Sequence, residues 1–233
     1  NQPFEVDELI ITFNGEIYNY VELRRELQNK NINLKTKSDT EVLLYYYKLY
    51  GEKCVDYFEG MWAFAIYDKK KNHLFLSRDR FGEKPLYFYV GSNFFLFGSE
   101  IKFIQELLGT KLNVNINLLR NFLINGYRTI YKFDECFFQR IHRLESGHSM
   151  IIKEGKVNKK YKYWSRKVKL NNKIRINDAV KEIRRILIES LRLRIRSDVP
   201  IAFCLSGGID STALVSIASK VLNFKFKTYS IID

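Results

Sequence analysis

Between residues 61 and 100 the chain passes through four short apolar segments, MWAFAIYD, HLFLSRD, KPLYFYV and FFLFGSE, separated by the turn-like KKKN, RFGE and GSN. Segments of this length, rich in aromatic and β-branched residues and bounded by turn formers, read as strands. Joined so closely, they imply an antiparallel sheet. Ahead of them, LIITFNG (9–15) alternates little and reads as a buried strand running into a tight Asn-Gly turn. A helix follows, capped by Asn19 with Glu22 three positions on, Leu23 and Leu27 on one face and KNIN at its end. SDTEVLLYYYKLYG repeats that logic, with Ser38 as N-cap, Glu41 at the capping-box position and Gly51 as the stop. Asp39 therefore falls in the first turn.

Beyond the strand block come helical patterns at 101–108 and 117–124, an irregular stretch to about 147, and a hairpin, SMIIKEGKVNKKYKYW, with Gly155 near its turn. The charged run SRKVKLNNKIRIN that follows divides the chain into residues 1–164, a linker at 165–176, and residues 177–233. In the last part Asn177 caps a long helix with Val180, Ile183, Leu187 and Leu191 along one stripe. Then VPIAFCL, SGGIDS, TALVSIASKVL and KTYSII succeed one another as strand, loop, helix and strand. That order opens a parallel α/β domain rather than extending an antiparallel sheet.

A net charge of +13 invites a nucleic-acid partner. The distribution argues against one: Lys69 to Lys71, Lys159, Lys160 and Lys162 are scattered through turns, and RRILIESLRLRIR lies on a helix whose other face is apolar. The expectation is no nucleic acid and no membrane, since no apolar run approaches the roughly 20 residues of a span. Cys54, Cys136 and Cys204 show no Cys-x-x-Cys pairing, which fits a reducing, cytoplasmic setting and places no metal on cysteine.

The segment SGGIDS after VPIAFCL has the chemistry of a phosphate cradle. Gly207 and Gly208 permit close backbone approach, Ser206 and Ser211 offer hydroxyls, the helix start adds a favourable dipole, and Asp210 is placed to hold Mg²⁺ or to orient the loop. It is not a Walker A loop, for no lysine follows the glycines. The same residues also make a Gly-Gly turn capped by serine and aspartate.

SGGIDS resembles the signature of the ATP pyrophosphatases. With FNGEIYNY (13–20), SDTE (38–41), GMWAFAIYD (60–68), SRDRFGEKPLYF (77–88) and FGSEIK (97–102) ahead of it, the chain resembles the glutamine-hydrolysing asparagine synthetases over nearly its whole length. The resemblance implies an α+β chain. Its first part would be a class II amidotransferase (N-terminal nucleophile hydrolase) domain of four α/β/β/α layers, and its second the beginning of an α/β parallel-sheet ATP pyrophosphatase domain. It implies glutamine, ATP with Mg²⁺, and aspartate or another carboxylate acceptor as small-molecule partners, and leaves a homodimer open. Asn14 and Gly15 map to the oxyanion hole, Glu16 to a glutamine-binding position, and Asp39 to the carboxylate that pairs with the α-amino group, kept ionised by its place early in a helix. Leu205, Ser206, Gly207, Gly208, Asp210, Ser211 and, in the following strand, Ile231 map to the ATP site. For Arg78, Asp79, Arg80 and Lys84 the resemblance suggests a structural role beside the glutamine site, with a surface ion network as the alternative.

The family nucleophile is an N-terminal cysteine, whereas this chain starts at Asn1. Cys54, Cys136 and Cys204, the last read as lying in a buried strand, do not replace it. The strands expected before residue 8, with the segment that binds the glutamine α-carboxylate, are also wanting, so the expectation is a fragment cut at both ends and inactive alone. Open alternatives are a paralogue that amidates another carboxylate, such as a sugar acid, and a silent homologue serving as an interaction module.

Overall fold

A computed structural model describes residues 2–126, 135–168, 170 and 173–231. They gather into two compact units, Asn1–Arg166 and Lys167–Asp233. Residues 127–134 of the stretch expected to be irregular, and residues 169, 171 and 172 of the expected linker, lie outside the described residues.

The first unit opens with β1 (Phe4–Val6) and β2 (Leu9–Ile17), followed by α1 (Tyr20–Asn29), α2 (Asp39–Tyr50) and a 3₁₀ turn at Gly51–Asp56. Then come β3 (Gly60–Asp68), β4 (His73–Arg78), β5 (Tyr87–Val90), β6 (Phe95–Gly98), α3 (Ile101–Leu108), α4 (Ile116–Asn125), β7 (Ile141–Arg143), β8 (His148–Lys153) and β9 (Lys156–Lys162). The strands form two antiparallel sheets, ordered β1-β2-β3-β4-β8-β9 and β6-β5-β7. The four apolar segments expected in one sheet are thus divided, two to each. The reason is the RFGE connection, which is no hairpin turn but a loop that carries the chain from one sheet to the other.

Side-chain alternation along the strands sorts the interior into three cores. From β3, Trp62, Phe64 and Ile66 join Leu23, Leu27, Leu43 and Leu44 of α1 and α2 in the largest core. Ala63 and Ala65, on the opposite face of β3, join Leu86, Phe88, Met150 and Ile152 between the two sheets. The far face of the second sheet, with Tyr89 and Ile141, packs with Ile104 of α3. Helices, sheet, sheet and helix make four α/β/β/α layers. Burying Trp62, Phe64 and Ile66 in full stabilises by about 1.5–3 kcal/mol per side chain. At the outer edge of the larger sheet, β9 carries Lys156, Lys159, Lys160 and Lys162, so these lysines belong to a strand and not to turns. Its hairpin with β8 closes through Glu154 and Gly155, both at positive φ (50° and 71°), as a two-residue loop of primed type requires.

Three expected caps are used differently. Asn19 precedes α1 but its side chain makes no cap; it donates to the Tyr57 carbonyl (2.9 Å) and accepts from the Glu59 amide (2.9 Å), tying the start of α1 to the entry of β3. Ser38 does cap α2, accepting from the Thr40 amide (3.1 Å). Glu41, however, accepts from the amides of Lys35 and Thr36 and so orders the preceding loop. In the second unit the helix α5 (Ile176–Arg194) begins after Arg175, so Asn177 sits inside its first turn.

That second unit continues with β10 (Ala202–Cys204), α6 (Ile209–Ser216), a π turn at Ile217–Val221, and β11 (Lys227–Tyr229). β10 and β11 pair in parallel. Leu191 and Ala218 are its buried apolar residues, while Val180, Ile183 and Leu187 of the α5 stripe stay 58, 57 and 40% exposed. Cys204 is exposed rather than buried. Among the described residues no helix is long and apolar enough to cross a membrane.

Candidate functional site

β1 covers only the first part of β2, pairing Phe4–Val6 with Ile11–Leu9. Farther along, the Gln2 side chain takes the place of a strand: its carboxamide donates to the Phe13 carbonyl (2.7 Å) and accepts from the Phe13 amide (2.6 Å). On the other side, Gly15 stands opposite Trp62. Trp62 directs its own polar groups toward Asp79, donating to the carboxylate (3.3 Å) and accepting from the Asp79 amide (2.9 Å). Gly15 and Trp62 are therefore a non-bonded antiparallel pair, and the N–H of Gly15 turns to the same edge as that of Phe13. Two residues on, the Ile17 amide donates to Asp39 Oδ2 at 2.9 Å. Phe13, Gly15 and Ile17 thus line one sheet edge, held by a carboxamide at one end and a carboxylate at the other.

The expected Asn-Gly turn is absent; β2 runs straight through to Ile17. Gly15 is required for another reason. With φ at +156°, a Cβ here would run into the Met61 carbonyl oxygen and come within 2.8 Å of the Phe13 ring and Trp62 Cα.

Asn14, on the face of β2 opposite to the helices, donates from Nδ2 to Ser99 Oγ (3.0 Å). Ser99 follows β6 directly, so this bond joins the ends of two different sheets. Both residues line a cavity of 260 Å³ with Thr12, Ala63, Leu86 and Phe97. The alanines of β3 leave this space where larger side chains would fill it. Glu16 is exposed, on the same face as Asn14.

Asp39 is half-buried at the start of α2. Burial pushes its carboxyl above the usual range, and the amides of Ile17 and Thr40 pull it only part of the way back. The helix start, expected to keep Asp39 ionised, thus works against its burial. A cation at this carboxylate would offset the burial.

Behind the edge, the RFGE loop is organised by two buried residues. Asp79 accepts from the amides of Phe81, Glu83 and Lys84 (each 3.0 Å) as well as Trp62. Arg78 donates to the carbonyls of Lys84 (2.6 Å), Gly82 (2.6 Å) and Leu144 (2.7 Å). Arg80 donates to the Phe58 carbonyl (2.7 Å) and lies 5.9 Å from the Trp62 ring. Arg78 and Asp79 are hence internal ties of backbone groups, not members of a surface ion network.

No described cysteine serves this edge. Cys54 and Cys136 are buried, and burial pushes the Cys54 thiol far up, which suppresses the nucleophilic thiolate. Cys204 belongs to the other unit.

In the second unit, the Leu205 amide donates to the Tyr229 carbonyl (2.8 Å) and Ser230 Oγ to the Leu205 carbonyl (2.7 Å), which brings Leu205 beside the end of β11. Ile231 lies two residues past that strand, 97% exposed, and not within it. The loop Ser206–Gly208 is exposed; Gly207 adopts φ +80° with open space around it, and the Ser206 and Ser211 hydroxyls bond each other at 3.1 Å. Ser211 also donates to the Gly208 carbonyl (3.1 Å). Asp210 is exposed in the first turn of α6. Among the described residues no group of three or more His, Cys, Asp or Glu forms a metal-binding cluster.

The four-layer fold has counterparts in known proteins. The model of the glutamine amidotransferase domain family matches residues 1–164, and that of asparagine synthase matches residues 182–232. The chain belongs to the glutamine amidotransferase domain family. Its curated relatives include glutamine-hydrolysing asparagine synthetase 3 of Bacillus subtilis, 35% identical over 93% of this chain and 34% of that protein. A protein of Methanocaldococcus jannaschii, provisionally named as a glutamine-hydrolysing asparagine synthetase, is 37% identical over 96% of this chain and 43% of its own length. Amidase chyE of Penicillium rubens is 30% identical over 95% of the chain and 33% of its own length. The chain therefore spans less than half the length of these relatives. Among solved structures, the glutamine phosphoribosylpyrophosphate amidotransferase of B. subtilis matches with a TM-score of 0.50 at 17% identity, covering 98% of this chain and 48% of that one. At that identity the likeness concerns the fold alone.

Gln2 and Ser99 were not legible as site residues. Ser99 falls within the FGSEIK segment, but nothing in a local pattern says that its hydroxyl meets Asn14, and Gln2 carries no pattern at all.

Proposed function

We propose that the first unit hydrolyses glutamine and that the second begins the ATP-consuming half of an asparagine synthetase. The observation that carries this reading is the edge of β2. Successive outward amides of a strand lie about 6.6 Å apart, two residues at about 3.3 Å each. Gly15 N–H and the Asp39 carboxylate at Ile17 are thus spaced for the two ends of a small amino acid. In this reading the carboxamide carbon of glutamine becomes tetrahedral beside Gly15, and its oxyanion accepts from Gly15 N–H and Asn14 Nδ2. The α-ammonium pairs with Asp39, and Glu16 lies alongside. The attacking nucleophile in this reading is an N-terminal cysteine, as the resemblance implies.

ATP would lie on Leu205 and the Ser206–Ser211 loop, with Ile231 toward the base. The exposed glycines leave room for phosphate oxygens at the helix start. Asp210, with no cluster of carboxylates around it among the described residues, would hold Mg²⁺ jointly with those phosphates. Mg²⁺ held there would neutralise charge on the phosphates of ATP. Adenylation of the aspartate β-carboxylate, then attack of ammonia, completes the proposed reaction. Relatives named as amidases favour keeping a second acceptor class open.

The test uses the full-length gene product: glutamine hydrolysis, and ATP–pyrophosphate exchange with aspartate against other carboxylic acids. Glutaminase activity with aspartate-dependent exchange is the expected result. Exchange with another acid alone would replace the acceptor, and neither activity would overturn the reading.

A further inference from the structure

Asn14 is a surface side chain on the exposed end of β2, and a carboxamide in that position ordinarily rotates among several rotamers. A donor that must meet an oxyanion gains from being held in one orientation before the substrate arrives. Among the described residues, the Asn14 carboxamide has one partner, Ser99 Oγ at 3.0 Å. A primary amide carries two N–H groups. The hydroxyl takes one, fixing the plane of the amide and leaving the second N–H to point elsewhere at the mouth of the 260 Å³ cavity that both residues line.

Ser99 is itself well anchored. The preceding Gly98 pairs with Tyr87 in the second sheet, and the next residue, Glu100, opens α3, its carbonyl accepting from the Phe103 amide (3.2 Å). The hydroxyl thus belongs to a rigid junction of strand and helix, in a different layer from the strand that bears Asn14.

We infer that Ser99 is the positioning residue of the Asn14 oxyanion donor, so that the second sheet sets the orientation of a donor carried by the first. The inference rests on the glutaminase reading above. Ser99 touches no reacting atom in it; it acts through Asn14 alone.

In the full-length enzyme, Ser99→Ala is expected to lower kcat for glutamine hydrolysis about tenfold, less than the roughly 10²–10³-fold that losing a whole oxyanion donor costs. KM should stay within about twofold, because the ground-state contacts to the amino group are untouched. Ser99→Thr, which keeps the hydroxyl, should recover most of the loss. Asn14→Ala combined with Ser99→Ala should be no slower than Asn14→Ala alone, since both remove one interaction. A second measurement needs no activity. In the present chain, the two Asn14 side-chain amide protons should show shifts displaced from those of a free asparagine and slowed exchange with water, and Ser99→Ala should bring both to the free values.

An unchanged kcat in Ser99→Ala, additive losses in the double variant, or an Asn14 amide indifferent to Ser99→Ala would each overturn the inference. An unsubstituted enzyme that hydrolyses no glutamine would instead remove the proposed function, and the amide spectrum would then decide the Asn14–Ser99 contact separately.

Discussion

The two units are built from similar raw material and reach very different degrees of closure. In the first, the central strands β3 and β4 are covered by other layers, and Trp62, Phe58, Leu43 and Ile66 are wholly buried. In the second, Val180, Ile183, Val199 and Ile209 are 58, 57, 68 and 89% exposed, and the two parallel strands have almost no buried residue. Antiparallel strands satisfy one another through short hairpins inside one segment of chain. A parallel pair needs a crossover and a sheet covered on both faces. A strand–helix–strand segment taken by itself therefore has the elements of a domain without its interior.

The sharpest way to break this comparison is amide hydrogen exchange. Amides of β3 should exchange through global unfolding and those of β10 and β11 through local opening, a difference on the order of 10³-fold or more. Equal protection would show that the second unit has its own closed core. Next in size, Asp79→Ala should lower the stability of the first unit by about 3–5 kcal/mol, because four backbone amides lose their acceptor and the buried Arg78 loses its neighbour. A denaturant midpoint moved by less than a third of that would make the loop dispensable. Leu43→Ala, in the helix-facing core, should cost about 2–5 kcal/mol, against less than about 1 kcal/mol for Leu187→Ala on α5. Similar costs at the two positions would erase the contrast.

The smallest expected effect concerns pH. His73 is buried against Tyr47, its Nε2 2.9 Å from the phenol oxygen, with Asp68 and Lys71 nearby, and burial holds its pKa below the usual 6.5. The unfolded chain thus binds this proton more readily than the folded one. Stability is fully present above pH 6.5 and is lost as pH falls through the lowered folded value. Thermal melts of the first unit should slope downward over that window, and His73→Gln should flatten the slope.

Much of this architecture was legible locally. The strand runs, the helices expected at 101–108 and 117–124, the Ser38 cap and the Gly155 hairpin follow from periodicity and turn chemistry. What escaped were choices between distant partners. HLFLSRD and KPLYFYV read alike, yet they lie in different sheets because Asp79 gathers the intervening amides. Asn14-Gly15 has the composition of a turn, but pairing with β3 draws it straight. Asn19 and Glu41 stand in capping positions and spend their oxygens on loops. For the candidate site, Asn14, Gly15 and Asp39 were named from motif likeness; the edge that joins Gly15 to Asp39 depends on Trp62 facing away, and Asn14 stands on the adjoining face of β2. Cys204 reads as core because VPIAFCL is apolar, yet no described layer covers β10 and the thiol stands exposed.

The lysines of β9 have a consequence for how copies of the molecule behave at high concentration. Two such edges brought together would set Lys156 and Lys162 against like charges, a repulsion felt over about 8 Å in physiological salt, while Lys159 and Lys160 are already paired with Glu52 (3.6 Å) and Glu145 (2.6 Å). The strand is kept from templating a continuous intermolecular sheet by charge rather than by shape. Acetylation of those four side chains, which removes the charge and keeps their length, would convert a soluble edge into an adhesive one.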